Sequence, residues 1–517
     1  MALVTDQDIE ILLYTYDRDK PILEKLDRYH QGNHDSPYVP RHANEEYRRV
    51  SNRCYTNFIR QAVAIPTQTL FVDGFRAAQG GAERPSDIAE GSEWEAWQRS
   101  RMDMIQSAIY SGAFVFGYAL VEAYRDPKTK RVKLRGISAL KSSAIFDDPA
   151  NDISPRAAIE VLSEPVEVPQ SNGHTAVTPG QAYVWGETHK EMIEIGIKNP
   201  GTGSKAKTFR RIWSARHGAK ECPITRFAAS MDLEGRCVGI VEPLIQLQDR
   251  INQSVLDLLV AQLYTAFQVR TATGMSGVVK QRPIFEKDEA GNIIYDEDTG
   301  QPVVLEFVDV IDSNGQPVMA NPQLNAATML ISEEPDAKFG VLPGAPLDGF
   351  IDSINMSVKH FATLSATPPH YMMGSITNIS ADALQAAEMA LKRKIDLFKI
   401  MFGECWERAI NVAMQFEGYE YDDVQLETLW RDMEGQSFAR MADALLKLKE
   451  LNVPAEGLWT RIPGITANEL REWKELIDED PDQILAAAVN KGLQASPNGT
   501  SPTAPNREMT NADPDLE

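Results

Sequence analysis

Cysteine is scarce. Four stand in 517 residues (Cys54, Cys222, Cys237, Cys405), none in a CxxC pair. That spacing excludes a cysteine-based structural zinc site and a secreted disulfide framework, and fits buried thiols in a reducing compartment. Histidine is sparse too: the eight (His30, His34, His42, His174, His189, His217, His360, His370) show no HExxH or HxH spacing. No metal site and no cofactor is expected. A GxSxG elbow and a kinase signature set are both missing. The segment GTGSK at 201–205 fails as a phosphate loop. Gly196 and Gly201 have the outer spacing of GxxxxGK[ST], but Thr202 stands where lysine is required. The acid pairs Asp147-Asp148 and Asp422-Asp423 read as turn residues rather than a general acid and base. The chain is therefore not expected to be an enzyme.

Long apolar runs are missing as well. The longest uncharged stretch, Met104 to Val121, is interrupted by Gln106, Ser107, Ser111, Gly112 and Gly117. A membrane span needs about 20 mostly apolar residues, and the N-terminus lacks the basic and apolar regions of a signal peptide. No membrane contact is expected. Positive charge is also short: 52 basic against 74 acidic residues leave a net charge of −22. The general surface then repels phosphate, and any contact with DNA is local.

What is present reads as α+β, mainly helical. Residues 1 to about 75 look helical, with Leu12, Leu13, Tyr16, Ile22, Leu23, Leu26 and Tyr29 at three- and four-residue spacing and a polar break from Gln31 to His42. Trp94 and Trp97 begin another helix that continues through Met102 and Ile105. From about 112 to 235 short strand-like runs follow, among them FVFGYALVEAYRD, VKLRGISAL, AAIEVL, AYVWG, EMIEIGI and TFRRIWSAR. Pro243 then opens a helix to Ala266. It places Leu244, Leu247, Ile251, Val255 and Leu258 on one face and Gln246, Gln248, Asp249, Asn252 and Gln253 on another. Residues 267–345 read as a turn-rich β insertion, with a hairpin at KDEAGNIIYDEDTG. A second helix runs from Asp348 to about Leu364, with Phe350, Ile354, Val358 and Phe361 on one face. After the break ATPPHYMMGSITNIS, Ser380 caps a third helix to about Phe416, some 55 Å if unbroken, with Gly403 as a possible bend. Helical signals resume beyond Tyr421, and the acidic tail 495–517 reads as disordered.

The order of these parts resembles the portal proteins, or head-to-tail connectors, of tailed double-stranded DNA bacteriophages, in the class of phages of Gram-positive and actinobacterial hosts. The likeness covers about 45 to 475. It is carried by RVSNRCYTNFIRQAV, GYALVEAYRD, ISALKSSAIFDDPANDISPRAAIE and PITRFAASMDLEGRCVGIVEPLIQLQDRINQSVLDLL. Further on it is carried by TPPHYMMGSITNISADALQAAEMALKRKID, FGECWERAI, LWRDMEGQSFARMADALLKL and VPAEGLWTRIPG. The resemblance implies a ring, typically of twelve identical subunits, at one vertex of the capsid. It implies a channel for DNA entry during packaging and exit during ejection, with the DNA held without sequence specificity. The implied partners are the terminase large subunit, head-completion or adaptor proteins, and the major capsid and scaffolding proteins. The implied location is the virion, after synthesis in the host cytoplasm.

Mapped onto this chain, the resemblance makes 1–241 a wing, 242–266 a first stem helix, 267–345 a clip and 346–364 a second stem helix. It makes 365–381 a tunnel loop, 382–454 the rest of the wing and 455–494 a helical crown. Its tunnel-loop candidates are Pro368, Pro369, His370, Tyr371, Met372, Met373, Gly374, Ser375 and Asn378. For Tyr371, Met372 and Met373, apolar contact with DNA and packing between subunits both stand open. Lys359, His360, Lys392, Arg393 and Lys394 either face DNA or are solvated or salt-bridged charges. Leu244, Leu247, Ile251, Val255, Leu258, Phe350, Ile354 and Val358 are subunit-interface candidates in the stem, where the amide-rich face of the first helix would suit a neighbouring copy. Two further classes stay open: a capsid-maturation enzyme and a non-viral helical adaptor.

Overall fold

The computed structural model describes residues 4–40, 45–77, 92–170, 175–199, 206–266, 270–273, 280–288, 291–296, 301–312, 315–318, 336, 338–341, 346–374, 381–418, 426–431, 438–451, 455–459, 462 and 473. The expectations for Ser375, Asn378, Ser380, most of 455–494 and the tail fall outside these residues. The chain divides into two units. One comprises Met1–Asp27, Ala62–Glu242 and Met389–Glu517, the other Arg28–Gln61 and Pro243–Glu388.

In chain order the helices are α1 (Asp6–Gln31), α2 (Glu45–Ser51), α3 (Phe58–Thr69), α4 (Ser92–Arg99), α5 (Met102–Phe116), α6 (Ile245–Ala266), α7 (Asp348–Leu364), α8 (Pro369–Met373), α9 (Ala381–Glu417), α10 (Phe438–Glu450) and α11 (Ala455–Trp459). The strands are β1 (Val72–Ala77), β2 (Tyr118–Arg125), β3 (Val132–Ser138), β4 (Ser142–Ile145), β5 (Ala157–Ser163), β6 (Val166–Pro169), β7 (Thr175–Thr178), β8 (Gly180–Trp185), β9 (His189–Ile197), β10 (Lys207–Arg216), β11 (Ile224–Ala228), β12 (Arg270–Thr273), β13 (Gln281–Phe285), β14 (Val304–Asp309), β15 (Lys338–Val341) and β16 (Leu426–Trp430). The mixture is α+β.

In the first unit, α1 buries Ile9, Leu12, Leu13 and Tyr16 against Ile159 and Val161 of β5, Val184 of β8 and Ile193 and Ile195 of β9. Successive strand residues point to opposite faces, so Ala158 and Trp185 turn the other way, toward Leu120, Ile137 and Ile224. The antiparallel sheet β10-β9-β8-β5-β4 is thus covered by α1 on one face and by the sheet β11-β2-β3 on the other. Between the two sheets the buried Glu122 carboxylate accepts from Arg135 Nε at 2.5 Å, Lys190 Nζ at 2.7 Å and Trp185 Nε1 at 2.8 Å. Arg135 also forks onto Glu160 at 2.5 and 3.1 Å. A charge this deep is tolerable only when its lone pairs are filled in this way.

A further layer is aromatic. Tyr110 of α5 stacks on Phe402 of α9 at 5.1 Å, Phe114 meets Phe398 at 4.6 Å, and Trp406 meets both Trp97 and Phe227 edge-on at 4.7 and 4.6 Å. Around this layer the structure departs from the sequence reading in three places. Phe114 and Phe116 close a helix rather than open a strand, because Phe114 is wanted in the aromatic layer; burial overrides β-propensity. The helix expected through Trp94 and Ile105 is two helices, broken where Arg101 takes a left-handed φ of 56°. Residues 426–430, read as helical, and 72–77, read as the end of a helical block, are strands that pair with each other. Gly403, offered as a bend, lies buried under β16, and its carbonyl accepts the Thr428 hydroxyl at 3.3 Å. At the end of α5, Gly117 has φ 94°, and a Cβ there would stand 2.7 Å from the carbonyl oxygen of Cys237.

In the second unit, α6 and α7 pack together. The segment between them holds the antiparallel pairs β12–β15 and β13–β14. It also holds the turn in which Asp288 and Asn292 bond to each other's backbone at 2.9 Å.

Candidate functional site

The residues singled out for the stem and loop lie mostly in the second unit. α6 follows a 3-10 turn, Glu242–Leu244, in which Pro243 needs no backbone donor. The buried positions of this turn and helix are Leu244, Gln248, Ile251, Asn252 and Leu256. Two of these are amides, and both are taken up by hydrogen bonds inside the chain. Gln248 Oε1 accepts Phe58 N–H at 3.0 Å, and its Nε2 donates to Thr56 O at 2.7 Å and to Asn252 Oδ1 at 2.9 Å. Asn252 Nδ2 in turn donates to His34 Nδ1 at 3.0 Å, while His34 Nε2 sits 3.1 Å from the Tyr29 carbonyl. This chain of bonds assigns His34 as a neutral ring with its proton on Nε2, and burial lowers its pKa. Asp249 accepts the Tyr29 hydroxyl at 2.7 Å, and Gln253 accepts Tyr38 N–H at 2.8 Å. Gln248, Asp249, Asn252 and Gln253 on the polar side of α6 thus all bond to residues 29–58 of the same chain. The i, i+4 amide pair inside an apolar run was the available signal for it.

Of the stem-interface candidates, Leu244, Ile251 and Val358 are buried within the subunit, whereas Leu247, Val255, Leu258, Phe350 and Ile354 are half-buried. On α7 the apolar residues most open to solvent are Ile351, Met356 and Leu364. Lys359 and His360 are both exposed. The His360 Nδ1 lies 3.2 Å from a guanidinium nitrogen of Arg250. The guanidinium of Arg250, which the sequence reading passed over, is the fixed charge there.

α7 ends in a Schellman arrangement. Thr367 N–H bonds Ala362 O at 2.9 Å, Ala366 N–H bonds Thr363 O at 3.1 Å, and Ala366 holds the left-handed φ of 52° that glycine usually supplies. Next to it the hydroxyl of buried Thr367 has no hydrogen-bond partner among the described residues. Pro368 is extended and Pro369 starts a helix, as a proline pair requires. The break expected here therefore contains one helical turn, α8, holding Pro369, His370, Tyr371, Met372 and Met373, and closed by Gly374 at φ 66°. Glu388 of α9 receives the Tyr371 hydroxyl at 3.3 Å and lies 3.9 Å from His370 Nε2. Burial, and then Glu388, raises the Tyr371 pKa.

Farther along α9 the basic cluster splits. Lys392 and Arg393 are exposed, whereas Lys394 is half-buried with its ammonium 5.8 Å from the Phe398 ring. Burial lowers its pKa to about 8. Among the described residues, no group of three or more His, Cys, Asp or Glu has the arrangement to hold a metal ion. No described helix is long and apolar enough to cross a membrane.

Residues 9–483 match the family model described as phage portal protein, SPP1 Gp6-like. The portal protein of Mycobacterium phage D29 is 24% identical over 457 residues, covering 84% of this chain and 82% of that protein. The portal protein of Mycobacterium phage L5 is 24% identical over 460 residues, covering 86% and 81%.

Proposed function

The chain belongs to the SPP1 Gp6-like phage portal protein family, and from that premise we propose that its copies close side by side into a ring, typically of twelve, at one vertex of the capsid. The match of the family across residues 9–483 carries this reading. The ring is the channel through which double-stranded DNA enters during packaging and leaves during ejection. Its partners are the terminase large subunit, then head-completion or adaptor proteins, together with the capsid and scaffolding proteins.

In this reading α6 and α7 are the stem helices, the segment between them is the clip, residues 365–381, which include α8, form the tunnel loop, and α9 belongs to the wing. Residues 455–494 are the crown. The acid excess supports it physically. Each phosphate neutralised by a fixed cation adds salt-dependent affinity, and a chain whose net charge is −22 favours a duplex that slides rather than sticks. Arg250, Lys359 and Lys392 are exposed cations placed to grip weakly.

Negative-stain images of the purified protein test the proposal. End-on views are expected to show rings with a central hole, and a uniform monomer at high concentration overturns it. Capsids assembled without the chain are expected to remain empty of genome.

A further inference from the structure

Two helices of the first unit carry apolar rows on the face turned away from their own core. On α1 the row is Ile11, Tyr14 and Ile22, which are 40, 67 and 58% exposed. On α9 it is Met389, Leu397 and Ile400, which are 47, 54 and 67% exposed. Isolated exposed apolar residues are ordinary. Three along one side of a helix make a strip, and a second apolar stripe on a helix asks for a second partner. The inner faces are already used, by the sheet for α1 and by the aromatic layer for α9.

The two rows have the same spacing in opposite directions. From Ile11 the steps along α1 are 3 and 8 residues; from Ile400 backward along α9 they are also 3 and 8. Antiparallel helices therefore bring Ile11 to Ile400, Tyr14 to Leu397 and Ile22 to Met389 in a single register, over about 16 Å. The flanking charges suit that register. Arg393 falls level with Arg18 and Asp19, which are already paired at 2.7 Å, so the Asp19 carboxylate gains a second cation and offsets the like charge of Arg18. Glu10 falls beside Lys399. Opposed helix dipoles favour the same orientation.

A closed ring uses heterologous contacts, in which one surface of each copy meets a different surface of the next. We propose that α1 of one copy packs antiparallel on α9 of the next through these two rows. The inference rests on the ring reading and adds to it which faces meet, and in what register.

Engineered disulfides test it. In a Cys237→Ser background, Tyr14→Cys combined with Leu397→Cys is oxidised after assembly, and is expected to give a ladder of covalent multimers on a non-reducing gel. The pair Ile22→Cys with Ile400→Cys is offset by about 16 Å in the proposed register and is expected to give none. Rings that form without a ladder from the first pair overturn the contact and leave the ring reading standing. A ladder from both pairs overturns the register. Wild-type protein that forms no ring overturns the reading beneath. As a second measurement, Leu397→Glu with Ile400→Glu, both at exposed positions, is expected to keep the circular dichroism spectrum of the folded chain and to lose the ring. Rings that persist in that variant overturn the proposal.

Discussion

The indole N–H of Trp406 donates to the hydroxyl of Tyr110 at 2.7 Å, and that hydroxyl lies 3.3 Å from Gln106 Oε1, which also accepts the backbone N–H of Val72 at 2.9 Å. Three elements distant in sequence, β1, α5 and α9, are thereby tied by one buried polar thread. Removing the hydroxyl leaves a buried indole donor without a partner. Tyr110→Phe is expected to cost about 1–3 kcal/mol, read as a lower denaturant midpoint at unchanged slope. A variant as stable as the parent would mean the thread contributes nothing net.

The end of α7 stores strain that substitution can release. A left-handed alanine costs about 1–2 kcal/mol, and extra freedom of glycine in the unfolded chain returns about 0.4–1 of it. Ala366→Gly is accordingly expected to raise stability by a few tenths to about 1 kcal/mol. Thr367→Val, which removes, at nearly constant shape, a buried hydroxyl that has no partner among the described residues, is expected to stabilise by about 1 kcal/mol. Unfolding curves of the two single variants check both signs, and a loss of stability in either contradicts the geometry given for that residue.

Glu164 gives the first unit an acid limit. Burial by itself raises its carboxyl, but hydrogen bonds from Lys20, Tyr16 and Lys207 outweigh that and hold the pKa at about 2, below the ordinary 4.5. A carboxyl depressed on folding contributes stability that is present above 4.5 and is lost as pH falls toward 2. Glu164→Gln is expected to lower stability at neutral pH and to flatten the fall across that window. A titration of denaturant midpoints in both proteins checks this, and parallel curves would refute it.

Lys394 works in the opposite sense. Its pKa of about 8 lies below the ordinary 10.5, so in that interval the unfolded chain binds the extra proton and stability rises with pH. At neutral pH the folded state carries a penalty for the buried ammonium. Lys394→Met is expected to be more stable than the parent at pH 7, with the gap closing as pH rises from 8 to 10.5. Thermal unfolding at two pH values decides it.

Much of this was legible in the sequence where a period could be read. Leu12, Leu13 and Tyr16 mark α1 by spacing, and β5, β8 and β9 announce themselves by β-branched and aromatic runs. What stayed hidden depends on partners far along the chain. Leu426–Trp430 carries no strand signal strong enough to beat its helical surroundings; it is a strand because Val72–Ala77 lies beside it. Gln248 and Asn252 looked like an outward polar face because amides usually are, and only the neighbours Thr56, Phe58 and His34 turn them inward. At the loop, the proline pair and Gly374 bracketed α8, but Glu388, which receives Tyr371, sits on another helix. Arg250 was overlooked for a related reason: nothing near it in sequence reveals that His360 would lean on it.

The pairing of Val72–Ala77 with Leu426–Trp430 also sets a timetable. The earlier strand leaves the ribosome roughly 350 residues ahead of its mate. At synthesis rates of about 5–20 residues per second that is a wait of roughly 20–70 s. Throughout that interval an unmatched backbone edge is presented to a crowded cell, where other nascent copies of the same polypeptide offer identical later strands. Each molecule must find its own ending before it finds someone else's.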